Sequence, residues 1–294
     1  MSSATLHFLG VDGGGSHCRA RIRDQSGRIL GEAAGGASNV HRDFDGAVLS
    51  IVDAASMAAA QAGIALDTLH AGLGLAGFVA PDTALRLEAS GLPFASVVAH
   101  LDAYAACLGA FSGGDGGIVI AGTGSAAYGI VAGQPFGLGG LGFALGDQGS
   151  GAWLGHRAVR SAALALDAMA ARTALIEAVL DTTGPTQEAL LRWTARAVPK
   201  DYAQFAPALF AFAGKGDAHA MRIVAQGAMA ISALSRALLA RGAKRLCLLG
   251  GLAEAYRSRL EPALIEVLVA PQADALDGAI MMARKAQGLP EIWS

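Results

Sequence analysis

Apolar and polar residues alternate from Cys18 to Arg23: Cys18, Ala20 and Ile22 interleave with Arg19, Arg21 and Arg23, the two-residue period of a strand with one buried face. The apolar run Leu6-His7-Phe8-Leu9-Gly10-Val11 precedes it, and the glycine-rich Asp12-Gly13-Gly14-Gly15-Ser16 joins the two. Strands are predicted over 5–11, 17–24 and 28–33, followed by a loop through Gly35-Gly36-Ala37-Ser38-Asn39. A helix follows from Phe44 to Ala62, where Val48, Ile51, Val52, Ala55 and Ala59 recur at three and four and Gly63 ends the run. A buried strand over 71–77, a helix over 82–90, a strand over 96–100 and a helix near 103–111 complete the first half.

This β-β-β-α-β-α-β-α order is that of one lobe of the actin-like (ribonuclease H-like) ATPase fold, an α/β architecture, and it restarts at Gly117. Gly117–Ala121 and Ala126–Val131 read as strands around Gly122-Thr123-Gly124-Ser125; the third strand of this repeat is poorly defined, and 137–151 reads as a long glycine-rich loop. A helical insertion in the second lobe is predicted over 152–171, 172–181, 186–197, 203–213 and 218–241, the last with Met221, Val224, Ala228, Ile231, Leu234 and Leu238 as its buried stripe. Arg245–Leu249 reads as a parallel strand, a helix starts at Glu254, Ile265–Val269 is a last strand, and Asp274–Ala286 a last helix. The domains expected are 1–114 and 115–294, with a final helix near 274–287 able to pack back on the first lobe and the ligand in the cleft between lobes.

The two loops, about a hundred residues apart, each join strand to strand. A Rossmann or Walker loop would open a helix, and neither loop carries the Walker Lys. Glycine-rich tips bare backbone N–H groups, through positive φ or close approach of the main chain, and with the hydroxyls of Ser16, Thr123 and Ser125 they suit phosphate oxygens. Asp102 follows the strand over 96–100, at the carboxyl end of an α/β sheet where ligands collect; it is a candidate base or an ordinary helix N-cap.

The 294 residues carry a net charge of −2 with acids and bases mixed, which disfavours nucleic acid and anionic membrane as partners. No run approaches about 18 consecutive apolar residues, and Met1–Thr5 lacks a signal-peptide start, so a cytoplasmic protein is expected. Cys18, Cys107 and Cys247 are widely separated in apolar patterns and read as core residues. The seven histidines show no metal-ligand spacing, and Trp153 and Trp193 fall on helical stripes that read as core.

Taken in order, Val11-Asp12-Gly13-Gly14-Gly15-Ser16, Ala37-Ser38-Asn39, Leu101-Asp102-Ala103-Tyr104, Ala121-Gly122-Thr123-Gly124-Ser125, Gly146-Asp147-Gln148-Gly149-Ser150-Gly151 and Leu249-Gly250-Gly251-Leu252-Ala253 resemble the BadF-type actin-like ATPases related to N-acetylglucosamine kinase. Within them, Asp147-Gln148-Gly149-Ser150-Gly151 and Pro199–Phe205 look closer to the bacterial glucosamine kinases. The resemblance implies an ATP- and Mg²⁺-dependent kinase acting on the 6-hydroxyl of glucosamine, or alternatively of N-acetylglucosamine, and a homodimer. It implies Asp102 as catalytic base and Asn39, Asp102, Asp147 and Gln148 as sugar-binding residues. Asp12 is implied as the metal residue, with Gly13, Gly14, Gly15, Ser16, Thr123, Gly124 and Ser125 on phosphates and Gly250, Gly251 and Leu252 along adenosine. A sugar-responsive repressor is disfavoured because the chain begins with a core strand and has no helix-turn-helix segment. A dehydratase activator holding an iron–sulfur cluster is disfavoured by the cysteine spacing, and a chaperone by the lack of a peptide-binding domain.

Overall fold

The computed structural model describes residues 6–78 and 80–290. In chain order its elements are β1 His7–Gly13, β2 Cys18–Asp24, β3 Ile29–Gly35, α1 Phe44–Ala62, β4 Leu69–Leu75, α2 Pro81–Ala89, β5 Ser96–Leu101 and α3 Asp102–Ala110. There follow β6 Gly116–Ala121, β7 Ser125–Val131, β8 Gln134–Gly139, α4 Gly151–Leu166, α5 Ala174–Thr183, α6 Gln187–Thr194, α7 Pro199–Ala203, α8 Ala206–Gly214 and α9 Ala218–Ala240. The last elements are β9 Leu246–Leu249, α10 Ala253–Arg257, α11 Pro262–Ile265 and α12 Ala275–Ala286.

Two compact units result. One holds residues through Gly116, Ala132–Pro135 and everything from Ala270 onward; the other holds Gly117–Val131 and Phe136–Val269. The chain therefore crosses between units more than once.

The first unit is built on the sheet β3-β2-β1-β4-β5, in which β1 pairs antiparallel with β2 and parallel with β4, and β4 runs parallel to β5. Its core joins Leu9, Val11, Ile22, Leu73 and Leu75 of the sheet to Ile51, Ala54, Ala55 and Ala58 of α1. α1 starts where Asp43 accepts the Gly46 N–H and stops at Gly63 in the left-handed conformation. On the other sheet face α12 comes so near that a Cβ at Gly72 would stand 1.8 Å from the Ala279 carbonyl, and one at Gly10 2.2 Å from that of Leu276. Gly109 and Gly278 do the same service where α3 meets Asp274 and α12 meets the Ala105 carbonyl. Arg21 and Arg23 of β2 close the seam with bidentate bonds to Asp274 and Asp277.

The second unit carries the sheet β8-β7-β6-β9 under a layer of helices whose core includes Leu154, Leu175, Ile176, Leu209, Ile231 and Tyr256. α9 is long and apolar enough by composition to cross a bilayer, but one of its faces is buried in this core. Both sheets and the doubled strand order are those of the expected actin-like fold.

Several expectations need correction. Residues 134–139 form β8, so the third strand of the repeat is defined and the loop begins after Gly139; its glycines had hidden the strand pattern. The predicted strand over 265–269 is reduced to an isolated parallel bridge of Leu268 to Leu246 of β9, because the helical turn α11, started by Pro262, runs to Ile265. The helix expected at 152–171 ends at Leu166. The helix expected near 203–213 is α8, which starts at Ala206 with Pro207 in its first turn, after the short α7 ends at Ala203. Met221 is exposed and Leu234 half-buried; the buried stripe of α9 runs through Ala220, Ile223, Val224, Gly227, Ala228, Ile231, Ser235 and Leu238, one position off the predicted phase at its start. The first strand was expected from Thr5, which lies outside the described residues.

Candidate active site

In the first unit, Asp12 lies opposite Gly74, and Leu75 pairs both with Gly13 of β1 and with Leu101 of β5. Asp12 and Asp102 thus stand at the carboxyl ends of parallel strands on either side of β4. Asp102 is the first residue of α3, whose N-cap is Leu101, so the N-cap reading is corrected. Its Oδ1 accepts the Ala103 N–H at 2.8 Å. Burial raises its pKa above the ordinary carboxylate value, the Ala103 N–H opposes the rise, and the nearby Asp12 charge adds to it. Such a carboxyl binds a proton more firmly than a free aspartate does.

The loop after β1 is held from three sides: Gly14 N–H to the His17 carbonyl at 2.9 Å, Ser38 N–H to the Gly14 carbonyl at 2.9 Å, and Ala76 N–H to the Gly13 carbonyl at 2.7 Å. Gly15 and Ser16 are exposed at its tip. Asp12 Oδ2 accepts from Arg19 Nη2 at 2.6 Å across the hairpin. Asn39 Oδ1 accepts the N–H groups of His41 at 3.0 Å and Arg42 at 3.1 Å, an Asx turn that fixes the side chain at the head of α1. Asn39 therefore has an internal task, leaving its amide nitrogen as the group it can offer outward.

In the second unit, loop 122–125 is braced by its neighbours. The N-terminal N–H groups of α4 at Gly151 and Ala152 donate to the Gly122 and Thr123 carbonyls at 2.8 and 3.1 Å. Ser125 Oγ donates to the Gln148 carbonyl at 2.9 Å, and Ser125 N–H donates to Asp147 Oδ1 at 3.1 Å. Asp147 reaches that position from a left-handed backbone, φ 61°. Its pKa is raised by burial, against the pull of the Ser125 N–H. A Cβ at Gly124 would stand 3.0 Å from the Asp147 carboxylate, so a side chain there would push that carboxylate by a few tenths of an ångström. Gln148 is exposed, and only its carbonyl is engaged with the loop.

Gly250 turns with φ 93° so close to β6 that a Cβ would meet the Ala121 carbonyl at 2.5 Å, and that carbonyl accepts the Leu252 N–H at 2.9 Å. Gly250, Gly251 and Leu252 are thereby set beside the start of loop 122–125. Behind them the buried Tyr256 hydroxyl donates to the Gly149 carbonyl at 2.7 Å, tying α10 to the 147–151 segment.

The glycines of both loops work by close approach alone: Gly13, Gly14, Gly15, Gly122 and Gly124 all lack positive φ, which corrects that part of the expectation. At Gly15 and Gly122 no atom of the chain lies within 4 Å of a would-be Cβ, so each loop keeps one backbone stretch open to an incoming oxygen. Sequence reasoning missed Arg19, Ser38 and Tyr256. Arg19 was legible in hairpin register, being paired with Asp12. Ser38, whose buried hydroxyl has no hydrogen-bond partner and lies against Gly13, left no sequence signal, and neither did Tyr256.

Among the described residues no group of three or more His, Cys, Asp or Glu is arranged to hold a metal. Cys18, Cys107 and Cys247 are buried, as core residues are.

Fold and loops together define an actin-like ATPase with one glycine-rich hairpin loop in each unit. The chain belongs to the BadF/BadG/BcrA/BcrD ATPase family, whose model matches residues 9–283. It is 39% identical, over 96% of its length and 97% of the relative's, to a glucosamine kinase of Vibrio cholerae. An N-acetylmuramic acid/N-acetylglucosamine kinase of Clostridium acetobutylicum is 29% identical over 60% of this chain and 59% of its own. The crystal structure of a candidate N-acetylglucosamine kinase from Chromobacterium violaceum superposes with a TM-score of 0.89 at 34% identity, covering 96% of this chain and 100% of that one.

Proposed function

We propose that this protein is an ATP-dependent sugar kinase that transfers the γ-phosphoryl group to the 6-hydroxyl of glucosamine. The observation that carries the reading is Asp102: a buried carboxylate at a strand's carboxyl end, engaged by the Ala103 N–H and with its proton affinity raised. In its ionised form Asp102 accepts the proton of the sugar hydroxyl as that oxygen attacks the γ-phosphorus and ADP departs. The relative named glucosamine kinase supports the substrate.

Each unit has its part. Gly13, Gly14, Gly15 and Ser16 in the first, and Thr123, Gly124 and Ser125 in the second, offer donors to phosphate oxygens where charge develops. Gly250, Gly251 and Leu252 support the adenosine, while Asn39, Asp147 and Gln148 serve the sugar, with the Asp147 carboxylate suited to a protonated amine.

Mg²⁺ fits the donor set. Asp12 supplies hard carboxylate oxygen without a surrounding protein cage, the pattern of a cation held by one or two carboxylates plus phosphates. When bound, the ion neutralises phosphate charge. Arg19 orients the Asp12 carboxylate by holding Oδ2, which leaves Oδ1 for the hydrated ion.

The test is sugar-dependent ADP release with glucosamine and N-acetylglucosamine in parallel, with and without Mg²⁺. Glucosamine is expected to give the higher kcat/KM, and chelation to abolish turnover. Release with N-acetylglucosamine alone would make that sugar the substrate, as the name of the Chromobacterium structure favours. Release with neither overturns the kinase reading.

A further inference from the structure

On the second unit, away from the residues assigned to ATP and sugar, α4 and α9 enclose a cavity of about 450 Å³ lined by Trp153, His156, Arg157, Arg160, Arg222 and Gln226, among others. That is the volume of a small-metabolite site. None of its lining residues is acidic, although the chain as a whole carries a net charge of −2. Arg157, Arg160 and Arg222 form no ion pair among the described residues, whereas Arg172, Arg192 and Arg236 in the same unit each hold a glutamate. Three uncompensated guanidiniums in a concave site repel one another, and an arrangement of that kind is relieved by an anion with several charges.

The site is also partly ordered in advance. The Arg157 guanidinium lies 4.3 Å above the ring of the half-buried Trp153, which also packs against the core as its helical position suggested. His156 is fixed edge-on by Phe143 and Tyr202, and burial, with the charges of Arg160 and Arg157, depresses its pKa.

We infer that this α4–α9 cavity binds a compact polyanion of the di- or triphosphate or polycarboxylate kind, at a site separate from the one assigned to ATP. Its position gives the binding a route to the phosphate loop. The first turn of α4 holds the Gly122 and Thr123 carbonyls, and Gly149 packs on the α9 backbone at Gly227.

The experiment is calorimetric titration of the full chain with pyrophosphate, and separately with citrate, after saturation with a non-hydrolysable ATP analogue and glucosamine. Wild type is expected to take up one further equivalent of anion. The R160S/R222S double variant, altered at two exposed side chains, is expected to bind about 100-fold more weakly with an unchanged melting temperature. The single variant R160E serves the same purpose should the double variant fold poorly. The two anions distinguish a phosphate site from a carboxylate site. Uptake of neither anion by wild type, or equal affinity in wild type and variants, overturns the inference. Failure of the ATP analogue and glucosamine to bind, read in the first step, counts against the kinase reading alone, because the variant comparison stands without them.

Discussion

Asp102 separates catalytic need from stability at the level of one side chain. Its pKa is raised in the folded state, so the contribution of its neutral form to stability is present at low pH and is lost as pH rises through the folded value. At neutral pH the ionised group is therefore a burden to the fold. Asp102→Asn keeps an oxygen for the Ala103 N–H and removes the charge. It is expected to lower kcat by about 10²- to 10⁴-fold while raising the melting temperature at pH 7, and the gain should shrink as the pH is lowered toward the acid range. A drop in melting temperature at pH 7 with turnover retained would mark Asp102 as structural. The same displacement predicts that the acid limb of the kcat/KM profile falls above the ordinary aspartate range. Asp12, Asp102 and the glycines of both loops could be picked out from the chain because their spacing is local. The Asp147 contact with Ser125 could not, because it joins residues 22 positions apart through a left-handed backbone that no periodicity announces.

At the scale of elements, the reading succeeded where one face of a strand or helix is buried, as in β2 and α1, and failed where glycine or proline governs. β8 contains Gly137 and Gly139 and lost its alternation, while the helical turn started by Pro262 shortened the strand expected over 265–269 to a bridge at Leu268. The packing of α10 against the 147–151 segment depends on Tyr256, whose hydroxyl is buried on the Gly149 carbonyl. Tyr256→Phe leaves that carbonyl unpaired and should cost about 1–3 kcal/mol in denaturant unfolding, with a rise in KM for ATP because the neighbouring Gly250–Leu252 segment loosens. The seam of β1, β4 and α12 gives a sharper case. Gly72→Ala puts a methyl group 1.8 Å from the Ala279 carbonyl and must push α12 off the sheet, an overpacking expected to cost about 3 kcal/mol or more. An unchanged unfolding midpoint would show that α12 docks elsewhere.

Across the whole molecule, ion pairs link residues about 250 positions apart in sequence. Arg21 and Arg23 grip Asp274 and Asp277 with side chains that are largely buried, and for Arg21 the nearby carboxylates outweigh the cost of burying its charge. Asp277→Ala removes the bidentate carboxylate from the largely buried Arg23, while Arg21 keeps Asp274, and should cost about 3–5 kcal/mol, measured by equilibrium unfolding; a loss below about 0.5 kcal/mol would place the pair among inconsequential surface contacts. Composition alone gave no hint of this network. The long-range seam also bears on synthesis. Because the first unit draws α12 from beyond Ala270, a ribosome has delivered all of the second unit before the first can finish folding. Until then the glycine-lined groove over Gly10 and Gly72 stays uncovered on the nascent chain. The second unit, whose residues all emerge earlier, is free to mature first, which makes the unit that emerges first from the ribosome the last to be completed.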